Sequence, residues 1–209
     1  MIRATARESK LARAITIARE EGPRVLFAKV VAEIGCHRRL LRLERDLSEP
    51  IVDHQPRVPV VIDLLRPDEL DPYLALRTDA TASDLAARLA AGAICFVARQ
   101  GGRAVAVCWT STRDTRNVFF DCPVRVRPGE AYFFDAFTDP ASRGLGIAPA
   151  ICARQLHHCR DAGLARAFRL TAPYNASAVR AHGKSGFRPV GVIGRVALGS
   201  WRHYYTRIG

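Results

Sequence analysis

The stretch from Ala131 to Ala162 constrains this chain most. Ala131-Tyr-Phe-Phe-Asp-Ala-Phe-Thr138 is a run of apolar and aromatic residues with the make-up of a buried strand. It passes through a turn containing Pro140 into Arg143-Gly144-Leu145-Gly146-Ile147-Ala148. A long helix then follows, from about Ile147 to Ala162, and Gly163 stops it. Gly144 and Gly146 remove side chains where a ligand would have to approach backbone amides. The helix start adds unpaired N–H groups and the positive end of its dipole. One such contact contributes only ~0.3–1 kcal/mol, but several amides converging on a diphosphate add up. An anion-binding loop is one reading, and a glycine-softened strand–helix connection is the other. The loop alone does not separate them.

Two nucleotide motifs fail on spacing. A dinucleotide fingerprint needs a third glycine where Pro149 stands, and it usually opens a first βαβ unit rather than lying two-thirds along a chain. Gly183-Lys184-Ser185 resembles the end of a phosphate loop, but the earlier glycine it needs is Ala178, and no strand precedes it directly.

The remaining pattern is an alternation of strands and helices. Val58–Leu65 is a β-branched run, Pro67-Asp-Glu opens a short helix, and Thr81-Ala-Ser-Asp heads another that ends at Gly92. Ala93–Arg99 and Arg103–Thr110 flank Gly101-Gly102 as a hairpin. Beyond the long helix, Ala165–Leu170 reads as a strand and Ala176–Ser185 as a helix, and strands near Phe187–Leu198 and Trp201–Arg207 close the chain. A mixed α/β sheet follows. Ahead of it, Ser9–Glu21 and the segment from Pro23 to Gly35 have helical spacing, and His37–Leu47 mixes strand and helix signals. Three prolines between Asp46 and Pro59 place a boundary there, giving an N-terminal helical, basic extension over 1–50 and a main domain over 51–209. Packing on the main domain is the simplest role for the extension; binding a partner or peripheral contact with an anionic membrane are the less favoured ones.

The formal charge of +12 invites a nucleic-acid reading, yet Lys10, Lys29 and Lys184 are the only lysines and the arginines are spread along the whole chain. This supports non-specific polyanion affinity and no specific nucleic-acid recognition. No run approaches ~18–20 apolar residues, the length of a membrane span. Met1–Glu21 carries Glu8, Glu20 and Glu21 and lacks the apolar core of a cleaved leader. Six cysteines without CxxC spacing fit reduced thiols and a cytoplasmic setting. Cys152, His157, His158 and Cys159 form the one suggestive cluster, but adjacent helical positions diverge by about 100°, so no metal is expected.

Taken in order, Thr138-Asp-Pro, Arg143-x-x-Gly146-x-Ala148, Asn175-x-x-Ala178 and Gly186-Phe187 resemble the GCN5-related N-acetyltransferase (GNAT) superfamily. The likeness runs from about Val58 to the C-terminus and is sharp over Ala131–Phe187. It implies a mixed, mostly antiparallel central sheet flanked by helices, and acyl-coenzyme A, usually acetyl-CoA, as co-substrate. In that family the strand matching Asp135–Thr138 is splayed and pairs with the pantetheine arm. The resemblance therefore assigns Phe137 and Thr138 to the arm, the amides of Arg143, Gly144, Leu145, Gly146, Ile147 and Ala148 to the pyrophosphate, and Asn175 to the start of the next helix beside the arm.

Acyl transfer to an amine requires a proton to leave the amine, an oxyanion to be stabilised and a thiolate to depart. Where the family often has a tyrosine acid, seven residues after the matching Asn, this chain has His182; near its ordinary pKa it could protonate the thiolate. Tyr174 is a lesser candidate. Asp135 and Glu130, on or before the central strand, are candidate bases, with a water chain as the alternative. The long segment Ser111–Gly129 shapes the acceptor pocket, accommodates a longer acyl chain or extends the hairpin. The leading expectation is an N-acyltransferase working by direct attack on a small amine such as an amino sugar or amino acid, and a homodimer is compatible with it. The alternatives are a catalytically silent acyl-CoA-binding module, a protein N-acetyltransferase and a basic nucleic-acid binder.

Overall fold

Alternating apolar runs broken by glycine turns build the sheet that positions the site. The computed structural model describes residues 37–117, 120–198 and 201–208. Its strands are β1 (His37–Asp46), β2 (Val61–Leu64), β3 (Ile94–Gln100), β4 (Arg103–Ser111), β5 (Thr115–Asn117), β6 (Cys122–Val124), β7 (Glu130–Thr138), β8 (Arg166–Thr171), β9 (Arg188–Leu198) and β10 (Trp201–Ile208). The helices are α1 (Asp71–Leu76), α2 (Ala82–Ala90), α3 (Ile147–Asp161) and α4 (Ala176–Lys184).

Eight strands form one sheet in the order β10–β9–β1–β8–β7–β4–β3–β2. Among the described strands only β7 and β8 run parallel, joined by the crossover helix α3 that parallel neighbours require. The hairpin β3–β4 turns on Gly101 and Gly102, both with positive φ, as a two-residue connection demands. Ser111–Gly129 holds the small hairpin β5–β6, so it is an extension with structure of its own.

Side chains on β4 separate the two faces. Val107 and Trp109 pack with Tyr73 of α1 and Leu85 of α2, while Ala106 and Cys108 pack with Ile147 and Ile151 of α3. Trp109 donates its indole N–H to the Tyr73 hydroxyl at 3.0 Å, which satisfies both polar atoms inside the core, and burial pushes the Tyr73 pKa up to about 12. Leu43, Phe133, Leu156 and Phe187 form a second cluster beneath α3.

Two local readings change. α1 starts at Asp71-Pro72, and Pro67-Asp-Glu forms the turn before it. His37–Asp46 is a full strand between β8 and β9, so these residues of the 1–50 segment belong to the sheet. The helices expected over Ser9–Glu21 and from Pro23 to Gly35, and Cys36, lie outside the described residues.

Candidate active site

β7 is paired with β8 only from Glu130 to Phe133, the last rung being Phe133↔Arg169. Beyond it β8 continues to Thr171 against β1, while β7 continues to Thr138 against β4. The two parallel strands therefore part, and residues 134–138 keep a sheet edge facing the gap. Asp135 produces the divergence. It sits at φ 47 in a bulge where Phe134 and Phe137 oppose Trp109 and Val107, one extra residue on β7.

At the mouth of the gap, a 3-10 turn over Pro140–Ser142 leads into the glycine loop. Gly144 and Gly146 hold φ 77 and 79, a region that excludes most side chains. Gly146 is the N-cap residue of α3 and offers no side-chain cap, so the first amides of that helix have no protein acceptor from the capping position. Leu145 accepts from the Arg57 amide at 2.8 Å, which fixes the loop against residues 55–57. Pro149 falls in the first turn, where a missing N–H is tolerated. Arg143 donates its Nε to the Thr138 carbonyl at 3.4 Å.

A cavity of about 90 Å³ runs from this loop into the gap on the α3 and α4 face. Thr138, Ala136 and Cys108 line it on the sheet side, Gln155 on α3, and His182 on α4, with Arg169 at the closed end. Gln155 is anchored by donating to the Thr110 hydroxyl at 2.8 Å and the Trp109 carbonyl at 3.3 Å. A larger cavity, about 700 Å³, lies beyond β2 and the outer side of α3, away from the gap.

The sequence candidates separate clearly by position. Phe137, Thr138 and the loop from Arg143 to Ala148 lie along one path at the gap. Asn175 caps α4, its Oδ1 accepting the Ala178 amide at 3.1 Å, a helix-starting role. His182 enters the cavity, but not with the near-neutral pKa that made it attractive as an acid. Burial, and after it the charge of Arg169, push its pKa down to about 3. It is therefore a neutral imidazole at working pH, with an N–H to donate and no imidazolium proton.

Asp135 points to the opposite, α1 and α2, face. Arg77 donates to one of its oxygens at 2.8 Å and Arg88 to the other at 2.5 Å, so neither oxygen is left aimed at an amine. Glu130 lies at the far end of β7, buried, accepting from Arg42 at 3.0 Å and from the Arg127 amide at 3.2 Å. Eight residues of strand, about 26 Å, separate it from Thr138; the structure does not bring it to the site. Arg169, Gln155 and Cys108 were missed by sequence reading. Each sits in an ordinary strand or helix stretch, and only the parting of β7 and β8 makes them cavity residues. Cys152 and Cys159 are buried, while His157 turns to Asp53 at 2.9 Å and His158 packs edge-on against Phe96.

The sequence model of the acetyltransferase (GNAT) family matches residues 58–187. No curated protein matches the chain. Among solved structures, an acetyltransferase described as of the GNAT family from Novosphingobium aromaticivorans superposes with a TM-score of 0.55 at 19% identity, over 76% of this chain and 62% of that one. The ribosomal-protein-S18-alanine N-acetyltransferase of Escherichia coli gives 0.50 at 18%, over 62% and 78%. An aminoglycoside N-acetyltransferase in complex with coenzyme A gives 0.51 at 21%, over 62% and 88%. At these identities the shared property is the fold: the mixed sheet with helices on both faces.

Proposed function

The chain belongs to the acetyltransferase (GNAT) family; on that premise we propose that it is an acyl-CoA-dependent N-acyltransferase that acylates the amine of a small molecule, such as an amino sugar or amino acid, by direct attack in a ternary complex. The observation that carries this reading is the unpaired β7 edge over 134–138, continuous with the uncapped start of α3.

Each part of that path has a job. The amides from Arg143 to Ala148 hold the pyrophosphate, helped by the dipole of a helix of 15 residues. The edge at Phe137 and Thr138 pairs with the pantetheine amides as an added strand would. This lays the thioester between the bulge and His182, with its carbonyl near backbone N–H groups of the bulge. The amine enters from the α1 and α2 face, where Arg77, Arg88 and Asp135 frame the gap. Attack forms the C–N bond and breaks C–S. The amine proton leaves through water, the neutral His182 N–H hydrogen-bonds to the departing thiolate without giving up its proton, and water returns a proton to the sulfur. In this scheme Asp135 positions the two arginines and Glu130 anchors the base of β7. Residues 51–209 are the acyltransferase domain, with β1 completing its sheet. A homodimer and a cytoplasmic setting complete the reading; the latter is supported by five buried, unpaired cysteines among the described residues.

Calorimetric titration with acetyl-CoA and free coenzyme A tests this directly. One-to-one binding that weakens at least about tenfold in Gly146→Glu supports the loop assignment, and an amine screen then identifies the acceptor. Failure of both ligands to bind would overturn the proposal, and binding without transfer to any amine would overturn its acceptor half.

A further inference from the structure

Arg169 stands at the closed end of the gap without a counter-charge. It is 6% exposed, and its Nε has no hydrogen-bond partner. Its Nη2 reaches Gln155 Oε1 at 3.4 Å and the Cys108 thiol at 4.0 Å, both long contacts, and the Cys152 thiol is its other polar neighbour. Among the described residues no carboxylate pairs with it. Other buried guanidinium groups have a carboxylate or a close carbonyl oxygen, although the Nε of Arg45 and of Arg195 is likewise unpaired. Arg42 has Glu44 at 2.5 Å and Glu130 at 3.0 Å; Arg195 faces Asp121 at 3.8 Å; Arg45 donates to the Pro50 carbonyl at 2.6 Å. The rings of Phe133 and Phe187, 5.2 and 5.3 Å away, offer cation–π contact but no acceptor for the Nε proton. A guanidinium keeps its charge at every working pH, so an anion brought from outside would offset the desolvation that thiols, an amide and two aromatic rings offset only in part.

The path into the cavity says where that anion belongs. Ala148 lines its outer end beside the glycine loop, Thr138 and Ala136 follow along β7, and Arg169 lies at the last β7–β8 rung. A chain laid along β7 from the loop therefore ends at the guanidinium. The walls at Ala136, Ala148 and Ala181 are small. We infer that the acyl group taken by this site ends in a carboxylate, as in a dicarboxylic acid joined to coenzyme A through one of its two carboxyls, and that Arg169 binds the free one.

This rests on the acyl-CoA reading above and narrows it to a class of acyl group. The departing thiolate is the other anion the cavity meets, but it exists only after the C–S bond breaks, and the His182 N–H lies beside it. A cation that is charged throughout the cycle matches an anion that is also present throughout.

The test compares succinyl-CoA with 4-methylpentanoyl-CoA, a neutral chain with the same number and branching of heavy atoms, together with acetyl-CoA and free coenzyme A. Dissociation constants and kcat/KM are measured on the full chain. The expected result is a preference of about tenfold or more for succinyl over 4-methylpentanoyl, the scale of a charge-assisted, bidentate contact. Arg169→Met should bring that ratio to about one or below. Equal affinity of the unaltered protein for the two chains overturns the inference without any variant. A fall in kcat/KM that is the same for every acyl group in Arg169→Met also overturns it, and assigns Arg169 to the thiolate. Binding of free coenzyme A and acetyl-CoA with no succinyl preference leaves the acyltransferase reading standing; loss of all binding removes both.

Discussion

Asp135 and His182 show how much a side chain's role depends on where its backbone sits. Among the described residues, Asp121 and Asp135 are the two non-glycine residues with positive φ, a region that short polar side chains tolerate best. At Asp135 that conformation turns the carboxylate to the α1 and α2 face, where it ties Arg77, at the end of α1, and Arg88, on α2, to the bulge. Asp135→Asn keeps a residue that accepts the same φ, so its effect reports the lost charge. With both guanidinium groups mostly sheltered, it should cost about 2 kcal/mol in urea denaturation at neutral pH. A stability unchanged within about 0.5 kcal/mol would mean the latch contributes little, and would reopen the base assignment.

His182 makes a pH statement. Its folded pKa of about 3 lies below its ordinary value of 6.5, so between those limits the unfolded chain binds the extra proton. Its contribution to stability is therefore complete above the unfolded pKa, begins to be lost as pH falls through about 6.5, and goes on being lost down to about 3. Thermal melts of the unaltered protein and His182→Gln at pH 7 and pH 4 should show the larger fall in Tm for the unaltered protein. All other titrating groups are common to both, so the difference isolates His182. Equal falls would mean that the imidazole titrates normally.

At the scale of elements, the gap between β7 and β8 is a sheet edge kept open in the middle of a sheet. Exposed edges invite pairing, and this one is sheltered from other strands because α3 and α4 cover one face while α1 and α2 flank the other. The amides of 134–138 that point away from β4 have no strand partner. Hydrogen exchange across this segment should slow measurably when acetyl-CoA is added, while β3 stays unchanged. Protection confined to the glycine loop would mean that the ligand docks by its phosphates alone.

The same elements show what was legible beforehand. The glycine loop, the β3–β4 hairpin and the Thr81 cap were readable because each rests on local chemistry: positive φ at Gly101, Gly102 and Gly146, and a Thr81 hydroxyl that accepts the Asp84 amide at 3.1 Å. β1 was not readable, for a tertiary reason. Both of its faces are covered, Leu41 and Leu43 beneath α3 and Leu40 beside the β5–β6 hairpin, so polar and apolar residues do not alternate. Arg42 is buried as well, stacked 3.8 Å over Phe168 and paired with Glu130, in a position that composition alone would give to solvent. Glu130 looked like a candidate base for the same reason: its partner lies 88 residues away, on β1.

For the whole molecule, 32 basic and 20 acidic residues leave +12, and the charge has two separate consequences. Many surface arginines are engaged locally, as Arg66 is with Asp68 and Arg188 with Glu49, pairs whose exposure makes them individually weak. The surplus should act as a diffuse positive field that attracts any polyanion and weakens with salt. The proposed binding path along β7 is different, because there backbone amides with fixed directions would act at contact distance. The two contributions separate in one experiment, a titration of the protein with a random-sequence DNA duplex and with acetyl-CoA at 50 and 200 mM KCl. Duplex binding through six to ten phosphates should fall by about 10³–10⁵ over that interval. Acetyl-CoA affinity should fall by less than about tenfold, since a ligand with few charges releases few counterions. If acetyl-CoA affinity collapsed as steeply as that for the duplex, the coenzyme would be held by the general field. The glycine loop would then be only a connection between β7 and α3.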